Sequence, residues 1–130
     1  MKKFLTIYFL LFAGINAYAI SPTDLLPRKL LSCGGSVISE IAGRLEGDNN
    51  LETGAHVWFK NSGVTVAYQE DVSIPAIRKS KVGDHVLICL VFIPKNCPKG
   101  DDRGRMYTVT NLRTLGSWTL PDAQHSCGGA

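Results

Sequence analysis

Apolar and polar positions alternate with a period of two along most of the chain after residue 36, the pattern of strands with one buried face. From Val37 to Glu46, Val37, Ser39, Ile41, Gly43 and Leu45 fall on one side, and Ile38, Glu40, Ala42, Arg44 and Glu46 on the other. Gly43 inside this run predicts a bulge or sharp bend, and Gly47-Asp48-Asn49-Asn50 ends it. A hairpin follows: Ala55 to Lys60 and Val64 to Gln69, separated by Asn61-Ser62-Gly63, with Gly63 expected in the left-handed conformation that glycine reaches without steric cost. Ala55, Val57 and Phe59 face one way, and His56, Trp58 and Lys60 the other.

At Val86 to Ile93 the alternation gives way to an unbroken run, Val86-Leu87-Ile88-Cys89-Leu90-Val91-Phe92-Ile93. Rich in β-branched residues and bounded by Gly83-Asp84 and Pro94-Lys95-Asn96, it predicts a central strand buried on both faces, around which the rest packs. Glu70 to Lys81 shows no period of two, and Ile74-Pro75-Ala76-Ile77 followed by Arg78-Lys79-Ser80-Lys81 predicts a short helical or irregular crossover. Arg105 to Leu112 and Ser117 to Leu120 complete the strands, and Pro121-Asp122 stops the pairing. Gln124 to Ala130 has no element of its own. Near the start, Leu25, Leu26, Leu30 and Leu31 around Pro27 predict one or two helical turns over the outer face of the central strand, since a long helix cannot pass through the proline.

Three strands, a crossover, two strands and a short final one specify an all-β fold, a small antiparallel barrel. An oligonucleotide/oligosaccharide-binding (OB-like) order fits, with a long bent first strand and a crossover between the third and fourth. An SH3-like barrel or a small sandwich satisfies the same order. Architecture alone says little about function.

The beginning of the chain changes the picture of where it works. Lys2 and Lys3, the apolar stretch Phe4 to Ile15 and the small-residue end Ala17-Tyr18-Ala19 form a secretory signal peptide over residues 1–19. The apolar stretch falls short of the roughly 20 residues of a membrane span. The expectation is a monomeric, periplasmic or secreted single domain over residues 20–130. Removing Lys2 and Lys3 lowers the basic count from 14 to 12 against 11 acids, so the exported part carries only +1. No basic stripe alternates with exposed aromatics, so the footprint of a nucleic-acid binder is missing, and no cofactor motif is present.

Cys33, Cys89, Cys97 and Cys127 all lie in that part. An even number in an exported small domain predicts two disulfides rather than zinc, for which C-x-x-C spacing is lacking. Sequence alone admits three pairings; the preferred one joins Cys89 to Cys97 across a chain reversal and Cys33 to Cys127 between the ends of the domain.

The segments Pro94-Lys95-Asn96-Cys97-Pro98, Thr110-Asn111-Leu112-Arg113, Ser117 to His125 and Cys127-Gly128-Gly129-Ala130 resemble those of a family of small, uncharacterised exported bacterial proteins. The resemblance covers the C-terminal half best. It implies export and a single domain and carries no activity to any residue.

Candidate chemistry is sparse. Asp122, His125 and Ser117 or Ser126 supply the residue types of a hydrolase triad without a nucleophile elbow. His56, His85 and His125 lack spacings that bring imidazoles onto one metal ion. Asp101-Asp102 lacks the repeated acidic positions of a calcium loop, and Arg103 and Arg105 flank it as charge compensation. The segment Pro98 to Arg105, rigid, charged and mounted between a cysteine and a strand, is the candidate contact surface, with Asp101, Asp102, Arg103 and Arg105 as contact residues and an exposed Trp118 as anchor. The function expected is a non-catalytic binding or inhibitor-like module for a protein partner, with a small hydrolase using Asp122 and His125, or a stability-only domain, as alternatives.

Overall fold

The computed structural model describes residues 26–129. Six antiparallel strands form one sheet: β1 (Cys33–Gly43), β2 (Gly54–Phe59), β3 (Val64–Tyr68), β4 (His85–Phe92), β5 (Met106–Asn111) and β6 (Ser117–Pro121), in the order β3-β2-β1-β4-β5-β6. Among the described residues a single short helix, α1 (Ile74–Arg78), crosses from β3 to β4 where the crossover is expected. The expected signal peptide and Leu25 lie outside the described residues.

The long first strand makes the barrel. Its first half pairs with β4, from Cys33 opposite Cys89 to Val37 opposite His85, and its second half pairs with β2, from Ile38 opposite Phe59 to Gly43 opposite Ala55. The register shifts between Ile38 and Glu40. A bulge there bends the strand, so the sheet curls into a half-barrel and its two edge strands approach: Nε1–H of Trp118 on β6 donates to Oγ1 of Thr65 on β3 at 3.2 Å. The bend therefore lies before Gly43. Gly43 answers a different need, since a Cβ there would run into Asp48 of the following loop.

Residues of one parity on each strand fill the interior: Ile38, Val57, Phe59, Val86, Ile88, Leu90, Tyr107, Val109, Trp118 and Leu120, with Ile74 and Ile77 of α1 packed against them. Burying each such side chain stabilises the fold by about 1.5–3 kcal/mol. The hairpin parity is as expected, with Ala55, Val57 and Phe59 inside and His56 and Trp58 half-buried on the other face. The left-handed residue of its turn is Ser62 (φ 63°), not Gly63. Gly63 is needed because the Leu26 side chain lies where a Cβ would point.

Three further expectations are corrected. The run Val86 to Ile93 is central but not buried on both faces: Leu87 and Cys89 are half-buried, and Val91, Phe92 and Ile93 are exposed. A single curled sheet has one interior, and among the described residues no second layer covers its outside. The predicted N-terminal helical turns are absent from the described residues; residues 26–28 run as an irregular strap, a turn closes with Ser32 N–H donating to Lys29 O at 3.0 Å, and only Leu26 reaches the core while Leu30 and Leu31 are exposed. The disulfides join Cys33 to Cys89 and Cys97 to Cys127, so all four cysteines are paired but in neither of the preferred combinations. The register decides the first: with β1 beside β4, Cys33 and Cys89 are direct cross-strand partners. Two disulfides fit an oxidising compartment. No helix among the described residues is long and apolar enough to cross a membrane.

Candidate functional site

The segment from Pro98 to Arg105 and the tail that follows β6 form one cross-linked surface. Cys97–Cys127 links them covalently. Arg103 donates through Nε and Nη2 to the two carboxylate oxygens of Asp101 at 2.9 and 2.8 Å, the paired geometry in which guanidinium and carboxylate bind most strongly. Asp101 also accepts the Gly128 N–H at 3.0 Å, Arg103 Nη2 reaches Gly129 O at 3.3 Å, and the Cys127 N–H donates to Arg103 O at 3.0 Å. Gly104 has φ 93°, and a Cβ on it would crowd the backbone of Ser126, so glycine is what lets the tail lie this close. The Arg103 side chain beside it holds the Asp101 carboxyl well below the usual carboxylate range, and Arg105 lowers Asp102 in the same way.

Arg105 connects this surface to a cavity behind it. Its Nη1 pairs with Asp102 at 2.8 Å, and its backbone carbonyl accepts the Asp122 N–H at 3.0 Å. Leu26 and Arg28 from the strap, Asn61 and Ser62 from the β2–β3 turn, Arg105 and Tyr107, and Asp122 after β6 enclose about 240 Å3. Tyr107 Oη donates to Pro27 O at 3.2 Å and so ties the strap down as one wall. Burial pushes the Tyr107 phenol up, with the nearby Asp122 acting the same way. Burial also raises the Asp122 carboxyl, opposed by the Gly104 N–H, which donates to its Oδ1 at 2.7 Å, and by Arg105. Asn61 is only 6 % exposed, yet neither its Nδ2 nor its Oδ1 has a hydrogen-bond partner among the described residues; Arg105 Nε is likewise buried and unpartnered.

Of the five expected contact residues, four lie on this surface. Asp102 and Arg103 are exposed and Asp101 is partly so, while Arg105 turns inward to the cavity. Trp118 is corrected: at 3 % exposure, bonded to Thr65, it is a core residue and cannot anchor a partner. The triad residues are not brought together. Asp122 is committed to Gly104, His125, Ser117 and Ser126 are exposed, and no hydrogen bond joins Asp122 to His125 among the described residues. No group of three metal-ligating side chains converges among the described residues.

The basic cluster of the crossover has its own setting. Arg78 and Lys81 rim a wide, shallow groove of about 500 Å3 over Ile41, Leu51 and Ile77. It is larger than the end cavity, but none of its lining side chains holds a buried unpartnered polar atom.

Asn61 escapes attention in the sequence because it belongs to an obvious turn. A signal exists nonetheless: it continues the inward parity of Ala55, Val57 and Phe59, so a polar side chain there is directed inside. Comparison of the chain with protein-family models, with curated proteins and with solved structures gives no significant match.

Proposed function

We propose that the chain is an exported, non-catalytic binding domain, inhibitor-like in design, that presents the segment from Pro98 to Arg105 and its attached tail to a protein partner in the periplasm or outside the cell. The observation that carries this reading is the locking of segment and tail into one exposed surface by Cys97–Cys127 and by the Asp101–Arg103–Gly128 bonds. A surface ordered in advance loses little freedom on binding, which is how small domains gain affinity from limited area. The exposed oxygens of Asp102 and the exposed part of Arg103 are available for charge-assisted hydrogen bonds. The hydrolase alternative lacks support, because a base must reach its nucleophile and be oriented by a third group, and the residue types present are spent elsewhere or exposed.

Affinity capture from periplasmic extract with wild type and with Asp101→Ala/Arg103→Ala tests the proposal. A partner held by wild type should be weakened about tenfold or more in the variant, the worth of a charged hydrogen bond, with Cys97–Cys127 still intact by peptide mapping. Equal recovery by both proteins, or turnover of a substrate by the pure domain, ends this reading.

A further inference from the structure

Beyond its bulge, one edge of β1 is left without a strand beside it. Up to Ile38 the side away from β2 is paired: the Ile38 N–H donates to Asp84 O at 2.9 Å, and its carbonyl accepts the Gly83 N–H at 2.8 Å. After Ile38, Glu40 lies opposite Trp58, Ala42 opposite His56, and the Arg44 N–H donates to Gly54 O at 3.1 Å, so the backbone groups of Glu40, Ala42 and Arg44 point to β2. Hydrogen-bonding direction alternates along an antiparallel strand, and those of Ile41 and Gly43 therefore point the other way. No strand or turn supplies them a backbone partner there among the described residues. An open edge is a template for another strand, and this one borders the groove of about 500 Å3 over Ile41, Leu51 and Ile77. We propose that the edge and the groove together bind an extended, acidic segment of a partner protein by strand addition. The surface shares no residue with the one at Pro98 to Arg105, and the inference does not depend on that reading.

Each feature constrains the occupant. In an added antiparallel strand, two residues two positions apart would exchange N–H and C=O bonds with Ile41 and Gly43. Side chains opposite each other share a face, and Ile41 faces inward with its β2 partner Val57. An apolar side chain opposite Ile41 thus lies over Leu51 and Ile77. Charge selects what flanks it. Arg78 and Lys81 line the groove and no Asp or Glu does; neither cation is in an ion pair among the described residues. The acids of the adjoining turns are already used. Asp48 accepts the N–H groups of Asn50, Glu52 and Thr53 and the Thr53 hydroxyl, and Asp84 is held by Asn111 and Arg113. Glu40 has the opposite parity to Ile41 and is exposed on the outer face. Arg78 and Lys81 are long and exposed at the rim, so they reach acidic side chains on either side of the apolar one. A free anion would use the charges and leave the backbone edge idle.

The probe is the peptide acetyl-EVEVE-amide, added to the 15N-labelled exported protein; acetyl-KVKVK-amide and an EVEVE peptide with N-methylated valines are the controls. In the free protein the Ile41 and Gly43 amides should exchange with solvent faster than the Ala42 amide, which is bonded to β2. EVEVE should shift the Ile41 and Gly43 resonances saturably, and at ten times its Kd should slow their exchange about tenfold. KVKVK should do neither, nor should the N-methylated peptide, which keeps the side chains and loses the donors. Arg78→Ala/Lys81→Ala, at two exposed positions, should weaken EVEVE binding about fivefold. The proposal is overturned if Ile41 and Gly43 exchange as slowly as Ala42 without peptide, if EVEVE gives no saturable shift at them, if either control peptide binds as tightly, or if the folded variant binds like wild type. A shift of the same amides with protein concentration alone would assign the edge to a second copy of the chain and overturn it as well.

Discussion

Two buried asparagines stand at opposite ends of β5 and have opposite fates. Asn111, at its last position, is 0 % exposed and uses its whole amide: Nδ2 donates to Ser80 Oγ at 2.9 Å and Asp84 Oδ2 at 2.8 Å, and Oδ1 accepts the N–H groups of Arg113 at 2.9 Å and Thr114 at 3.2 Å. Asn61, against the cavity at the other end, is 6 % exposed and has no side-chain partner among the described residues. A primary amide has two donor hydrogens and two acceptor lone pairs. One residue type at nearly one depth is thus saturated in one place and empty in the other. The saturated amide holds the fold, because it fastens the α1–β4 turn to the β5–β6 turn. The empty one, sealed from water and without a partner among the described residues, destabilises the fold.

The sharpest way to break this contrast is Asn111→Ala. It removes four hydrogen bonds at once and strips the buried Asp84 of one of its partners, so stability should fall by about 3 kcal/mol, read as a lower urea midpoint at unchanged m-value. A loss below about 1 kcal/mol would mean that water replaces the network freely.

A smaller effect comes from the charge at the centre of the same network. Arg113 donates through Nε and Nη2 to Asp84 at 2.6 and 2.7 Å, and with Asn111 and the Lys81 N–H it holds the Asp84 carboxyl well below the usual carboxylate range. A carboxyl lowered on folding binds fewer protons in the native than in the unfolded state near pH 4. Its contribution is therefore fully present above the unfolded value of about 3.9 and is lost as pH falls through the native value. Asp48, held down chiefly by the Thr53 hydroxyl, and Asp101, held down by Arg103, act with the same sign. Asp122, raised by burial, acts with the opposite sign and gains as pH falls. With Asp102, lowered by Arg105, four against one predicts that stability declines below about pH 4, and that Arg113→Gln both lowers stability at pH 7 and flattens that decline. Denaturation midpoints at pH 7, 5 and 3 for both proteins check it; parallel curves would remove Asp84 as the cause.

The smallest effect has the opposite direction. Asn61→Leu replaces an unpartnered buried amide by an apolar group of similar volume, and should raise stability by about 1 kcal/mol. A loss of similar size would show that Asn61 finds partners in solution, and the comparison with Asn111 would collapse.

Local chemistry was legible. The hairpin from Gly54 to Tyr68 and the crossover helix at Ile74 stand where alternation and its loss put them, because neighbouring residues decide both. So was the exposure of Asp102 and Arg103, charged residues in a segment whose cysteine, charges and glycines are close together in sequence. Position in the left-handed region was not, since Ser62 takes it while Gly63 yields to Leu26, a residue 37 positions away by numbering.

The order of apolar and polar residues by itself determined an all-β chain with one inward face per strand, and the even set of cysteines determined that thiols would pair. Which cysteines pair, which aromatic is buried and which polar group is left without a partner were decided only by the tertiary structure. The reason is one event: the bulge between Ile38 and Glu40 lets β1 serve β4 with one half and β2 with the other. That bend sets Cys33 against Cys89, folds Trp118 onto Thr65, and brings Asn61, Arg105 and Asp122 from three separate parts of the chain to one cavity. Contacts between residues so far apart depend on how the sheet closes, and no local pattern records that.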